Sequence, residues 1–72
     1  MTEQQRRNRR LARKAGRLTI QSIDFALGSQ AKANSGHPSY DRGAYLSLAD
    51  SFTEDAVQYA RWAARVVFAS QQ

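Results

Sequence analysis

The sequence predicts a small all-α protein, either a helical hairpin or a three-helix unit, that is completed by dimerisation. Apolar side chains recur at helical spacing along most of the 72 residues. The clearest break is the segment 34–39, which contains the one proline. With no cysteine and one histidine, neither a disulfide nor a usual metal site can stabilise so small a domain, which leaves association with a partner.

The first half of the chain reads as one or two helices. Residues 3–15 are good helix formers, and residues 19–33 carry Ile20, Ile23 and Leu27 on one helical stripe. Between them, Gly16 is expected to weaken or end the first helix, and Thr19 can cap the second. A continuous helix through both segments is the alternative, and the sequence does not choose between them.

The second half also reads as one or two helices. Residues 41–52 form a short amphipathic helix capped by Asp41 or Ser39. Residues 53–70 form a longer helix that begins at Thr53, with a capping box of Ser51 and Glu54 as a competing start, and that can fuse with the preceding helix. This longer helix is apolar around most of its circumference, so it must be buried on several sides. We therefore predict a dimer or partner interface, with a monomer core as the alternative, at Ala56, Tyr59, Ala60, Trp62, Ala63, Val66 and Val67.

Charge is segregated along the chain. Residues 1–17 form a basic N-terminal arm or helix with a formal charge of +6, whereas the helical body, residues 18–72, has a formal charge of −1. Arginine matches phosphate with a planar fork of donors, so we predict binding to nucleic acid; an acidic protein partner or a solubilising tail are the alternatives. The residues concerned are Arg6, Arg7, Arg9, Arg10, Arg13, Lys14 and Arg17.

Other polar residues give weaker signals. Tyr40, Arg42 and Tyr45 are predicted as a second contact surface, because tyrosine and arginine are favoured at interfaces, with placement of Tyr45 in the core as the alternative. His37 is flanked by serines, but neighbours in a turn do not make an oriented catalytic triad. We predict no catalytic residues, no metal site and no cofactor.

Residues 4–14, QQRRNRRLARK, carry an arginine cluster at Arg6, Arg7, Arg9 and Arg10. This segment resembles the arginine-rich RNA-binding helix of lambdoid phage antitermination proteins. The resemblance covers about a sixth of the chain and implies that the helix grips an RNA hairpin.

Residues 11–27 combine Ala15, Gly16, Arg17, Thr19, Ile20 and Asp24 with the apolar residues 25–27. This pattern resembles the end of the central helix, the second loop and the last helix of histone-fold proteins. The resemblance implies a loop that contacts DNA phosphate and an obligate dimer. About 18 residues precede the loop in this pattern, which is too few for that family's first two helices.

Together these features predict a small non-enzymatic regulatory protein, of a phage or a bacterium, that dimerises through its C-terminal helix and binds nucleic acid through its N-terminal helix. A phage-type inhibitor that blocks a host regulatory or defence protein is the alternative. No segment approaches the roughly 20 apolar residues that cross a bilayer, so we expect no membrane insertion. The charged N-terminus lacks the apolar run of a signal peptide, which favours the cytoplasm, that of the host cell for a phage protein.

Overall fold

The computed structural model describes residues 2–70, with side chains through Ala69, and shows two long helices that form a hairpin. Helix α1 spans Glu3–Asn34 and helix α2 spans Arg42–Ser70. The helical hairpin is thus confirmed, whereas the three-helix alternative is not observed in the part of the chain that is described. The arm predicted at residues 1–17 is not separate from the body, since from Glu3 onward it is the first half of α1.

In each half of the chain, the hydrogen bond of one threonine shows that the two predicted helices are a single continuous helix. The Thr19 hydroxyl donates to the Ala15 carbonyl oxygen at 2.8 Å, and the Thr53 hydroxyl donates to the Ala49 carbonyl oxygen at 2.7 Å. A threonine bonded to the carbonyl four residues earlier lies inside a helix and does not cap a new one. The predictions of helix starts at Thr19 and Thr53, and of a break at Gly16, are therefore wrong.

Helix α1 begins with a capping box formed by Thr2 and Gln5. The Gln5 backbone N–H donates to the Thr2 hydroxyl at 3.1 Å, and the Thr2 backbone N–H donates to the Gln5 side-chain oxygen at 2.9 Å. Reciprocal bonds of this kind satisfy two backbone donors that the first turn leaves unpaired. They give a defined start to a turn that otherwise consists of polar side chains.

The connection between the helices is short and locally bonded. Ser35 donates its hydroxyl to the Lys32 carbonyl oxygen at 2.8 Å, and Gly36 follows with a left-handed φ of +71°. Glycine adopts this conformation without the steric cost of a Cβ, which suits it to the end of a helix. The side chain of Asp41 then accepts a hydrogen bond from the Ala44 backbone N–H at 3.2 Å, which makes Asp41 the N-cap of α2. Asp41 is one of the two residues that the sequence predicts for this role.

The two helices pack through a row of small side chains on α1. The half-buried and buried residues of this row recur at alternating spacings of three and four residues, as in a coiled coil. They are Ala12, Ala15, Thr19, Ser22, Ala26, Ser29 and Ala33. Facing them, α2 alternates bulky side chains with alanine at Tyr45, Ala49, Phe52, Ala56, Tyr59, Ala63 and Val66.

The resulting core is thin. Its buried apolar residues, among those described, are the alanines Ala15, Ala33 and Ala56, and no large side chain there is completely buried. Measured over Cα atoms, the hairpin is a rod of 55 × 13 × 11 Å. Neither helix, over the residues described, is long and apolar enough to cross a membrane.

Candidate nucleic-acid interface

The seven predicted basic residues are exposed on the first half of α1. At 100° per residue, four of them follow the face of α1 that points away from α2. Over eleven residues this row is about 16 Å long, at a rise of about 1.5 Å per residue. It consists of Arg6, Arg10, Arg13 and Arg17. The remaining three, Arg7, Arg9 and Lys14, lie on its two flanks.

The hairpin adds two arginines to this half of the rod. Phe25 and Phe52 stack with their ring centroids 5.2 Å apart, which fixes the antiparallel register of the helices. Continued along the rod, this register places Arg61 level with the turn at Gly16 and Arg65 one turn further on. Both arginines are exposed, on the side of α2 that points away from α1. Basic side chains therefore occupy both outer faces of the rod.

We call residues 2–17 together with residues 61–69 the basic end, and residues 18–60 the loop half. The basic end carries nine basic side chains and one acidic side chain, Glu3, a formal charge of +8. The loop half carries two basic and five acidic side chains, a formal charge of −3. The folded rod is therefore strongly positive in one half and weakly negative in the other.

A shallow open groove of about 410 Å³ runs between the side chains of the basic end. Five of its six lining residues are cationic, and the sixth is Leu11. The cations are Arg7, Arg10, Arg13, Lys14 and Arg17. Guanidinium groups on such a surface present several donors to one phosphate or to neighbouring phosphates.

The predicted second surface lies at the other end of the rod. The rings of Tyr40 and Tyr45 meet edge to face at 5.3 Å, and Lys32 Nζ lies 5.5 Å from the centroid of Tyr45 and 5.9 Å from that of Tyr40. His37 stacks beside Tyr40 at 5.4 Å. The cluster joins the loop to both helices at the end of the rod opposite the basic end. Arg42 is exposed beside it at the start of α2.

The residues predicted as a dimer interface are mostly used within the chain. Ala56 is buried, and Tyr59, Trp62, Ala63 and Val66 are half-buried against α1, the other helix of the hairpin. Ala60 and Val67 are exposed. The close helix approach that the small residues permit therefore occurs between α2 and α1 of the same chain.

Other polar groups serve the local structure. His37 Nδ1 accepts the Ser39 backbone N–H at 3.1 Å, which engages the imidazole in the turn. Within residues 2–70 no cluster of three acidic or histidine side chains is placed to hold a metal ion. Local sequence patterns do not assign Lys32, Arg61 or Arg65 to either surface. For Arg61 and Arg65, the break at mid-chain is the signal that could have placed them, because it brings the two ends of the sequence together.

Comparison with known proteins gives no relative: no protein-family profile, curated protein or solved structure matches the chain. The two local resemblances in the first half of the sequence stay predictions. Helix α1 continues without interruption through residues 11–27, where the resemblance to histone-fold proteins implies a loop.

Proposed function

We propose that this chain is a small cytoplasmic regulatory protein that binds nucleic acid through its basic end. One observation carries the proposal: the hairpin gathers nine of the eleven basic side chains into one half of the rod, where Glu3 is the only acid. A polyanion is the partner that such an uncompensated surface fits best.

The helical form of the basic end favours phosphate contacts. Residues 3–17 are already part of α1, and Leu11, Ala12 and Ala15 anchor this stretch against α2. Binding therefore does not need to order an unstructured arm, which would weaken affinity. An α-helix is about as wide as the major groove of B-DNA, but α2 covers one side of α1. The outer row of arginines is the surface that can enter a groove.

The chemistry predicts strong dependence on salt and weak dependence on sequence. Each phosphate neutralised on duplex DNA contributes about −0.9 to the slope of log K against log salt. Contacts by the four arginines of the outer row give a slope of about −3.6, and contacts by all nine basic side chains give about −8. Contacts to phosphate position a protein but carry no base information.

Fluorescence anisotropy with a labelled RNA hairpin and a labelled DNA duplex tests the proposal over a series of salt concentrations. Arg13→Gln, in the outer row, should weaken binding and reduce the magnitude of the slope by about 0.9. The matched control is Arg42→Gln, which removes an exposed arginine from the loop half and should leave the slope unchanged. Equal effects of both variants, or no binding at low salt, would refute the proposal.

The alternative, an inhibitor that docks on a host protein, is favoured by a different observation. An open apolar groove of about 340 Å³ lies between the helices in the loop half. A protein partner held there would survive nuclease treatment of a lysate and would still bind the Arg13→Gln variant. A partner that is lost with nuclease favours the nucleic-acid proposal.

A further inference from the structure

One side of the hairpin leaves large apolar side chains uncovered. We call it the groove face: Ile23, Leu27 and Leu46 line the groove between the helices, and the exposed Ile20 and Val57 extend the face toward the basic end. Ile20 is 62% exposed and Leu27 is 59% exposed. Both helices contribute, so the face is a property of the folded hairpin and not of α2 alone.

The opposite side of the hairpin also exposes Phe25 (50%) and Leu48 (45%), but large side chains fill its seam between the helices. There Phe25 packs on Phe52, and Leu18, Tyr59 and Trp62 are half-buried along the seam between the helices. On the groove face the corresponding positions of α2 include Thr53 and Ala60, which are too short to close the seam. The groove face is therefore the side of the hairpin on which the apolar core is incompletely covered.

The total surface area of the chain is larger than that of a compact monomer of the same mass. Its accessible surface is 5552 Å². A folded monomer of 8.1 kDa is expected to expose about 4500 Å². The excess, about 1000 Å², is similar to the roughly 800 Å² that each partner buries in a stable interface.

We propose that a second copy of this chain covers the groove face, with the two rods antiparallel, and that the pair forms a four-helix bundle. The proposal is independent of nucleic-acid binding. It differs from an interface through α2 alone, because α1 supplies the three side chains Ile20, Ile23 and Leu27. A bundle of this kind gives both chains the large buried side chains that a single hairpin lacks.

Charge decides the orientation. Two hairpins can meet on one shared face through a twofold axis that is either parallel or perpendicular to the rods. The parallel arrangement sets one +8 end about 10 Å from the other. The antiparallel arrangement sets each basic end beside a loop half of charge −3. It also brings a basic end toward Asp50, the acid that lines the groove.

The position of the apolar residues fits the same arrangement. Ile20 and Ile23 lie near the middle of the rod, and the register set by Phe25 and Phe52 places Val57 level with Ile20. A twofold axis through this level places the two rods side by side over almost their full length. Ile20, Ile23 and Val57 of both copies then face each other at the centre of the bundle, and Leu27 and Leu46 of each copy lie beside the basic end of the other.

Sedimentation equilibrium or light scattering on the full chain, over a series of protein concentrations, tests the interface. The wild type should have twice the 8.1 kDa mass of one chain. Ile23→Glu should raise the dissociation constant at least about 100-fold, since it places two charges in an apolar interface. Leu48→Glu is the matched control: Leu48 and Ile23 are both 45% exposed, but Leu48 lies on the opposite side.

The dimer should therefore persist in Leu48→Glu and be lost in Ile23→Glu. A monomeric wild type, a dimer that survives Ile23→Glu, or a dimer that Leu48→Glu breaks would each overturn the proposal. Circular dichroism checks that the variants are helical. Should Ile23→Glu fail to fold, Ile20→Glu replaces a side chain that is more exposed and serves the same purpose.

A distance measurement tests the orientation. The chain has no cysteine, so Ser39→Cys in the exposed loop accepts a single spin label. In the antiparallel dimer the two labels should be separated by about the 55 Å length of the rod. In a parallel dimer they would lie within roughly 20 Å, given helix spacings of 8–10 Å. A short distance overturns the antiparallel proposal.

Discussion

Replacing Gly16 with alanine should stabilise the hairpin, because Gly16 lies inside a helix and not at its end. Alanine is favoured over glycine by about 1 kcal/mol in a helix interior, mainly because glycine has more freedom to lose on folding. A Cβ built on Gly16 meets no atom within 4 Å, so the added methyl group causes no steric clash that would offset this gain.

The size of the effect on thermal unfolding follows from the length of the chain. For a domain of 60–100 residues, about 1 kcal/mol raises the Tm by roughly 4–8 °C. Circular dichroism at 222 nm measures this, with all variants at one protein concentration because association would shift the Tm. Gly28→Ala is the matched variant, since Gly28 also lies inside α1 with open space around it.

Gly36→Ala supplies the opposite sign. Gly36 has a φ of +71°, where an added Cβ costs about 1–2 kcal/mol, so this variant should lower the Tm. A fall in the Tm of Gly16→Ala would contradict the reasoning, because it would mean that Gly16 ends a helix as the sequence suggests. The sign of one substitution thus separates one continuous helix from two.

Two further perturbations test the packing and the loop. Ala15→Leu should destabilise the hairpin by about 1–3 kcal/mol in urea denaturation, because Ala15 is fully buried where the backbones approach closely; the exposed Ala31→Leu is its control. Asp41→Ala should cost about 1 kcal/mol through loss of the cap of α2, and a change below about 0.3 kcal/mol would show that the bond to Ala44 contributes little.

The helical class and the mid-chain break could be predicted because they depend on local patterns. The face of α1 that packs could not. The bulky stripe at Ile20, Ile23 and Leu27 is the most obvious apolar signal in α1, yet the row that faces α2 is made of alanine, serine and threonine. Small side chains let two backbones approach closely, and the bulky residues of α2, such as Phe52 and Tyr59, fill the remaining space.

The charge of the candidate site was predictable in part. The basic residues of α1 are contiguous in sequence, so they are visible as a cluster. Arg61 and Arg65 appear in sequence only as the polar stripe of an apolar helix. They join the cluster because a hairpin with its loop at mid-chain brings the last quarter of the sequence beside the first. Long-range placement of this kind follows from topology and not from local pattern.

The length of the hairpin has a consequence for how a dimer would engage nucleic acid. In the antiparallel arrangement the two basic ends lie at opposite extremities, separated along a rod of 55 Å. Because each basic end covers about half of the rod, their centres are separated by about half of that length, which corresponds to about 8 base pairs of a duplex at 3.4 Å per step. The dimer would then hold two nucleic-acid-binding sites at a fixed spacing. Binding at the second basic end would benefit from the high effective concentration that binding at the first creates. Two strands, or two stretches of one strand, would be bridged at a spacing that the protein fixes.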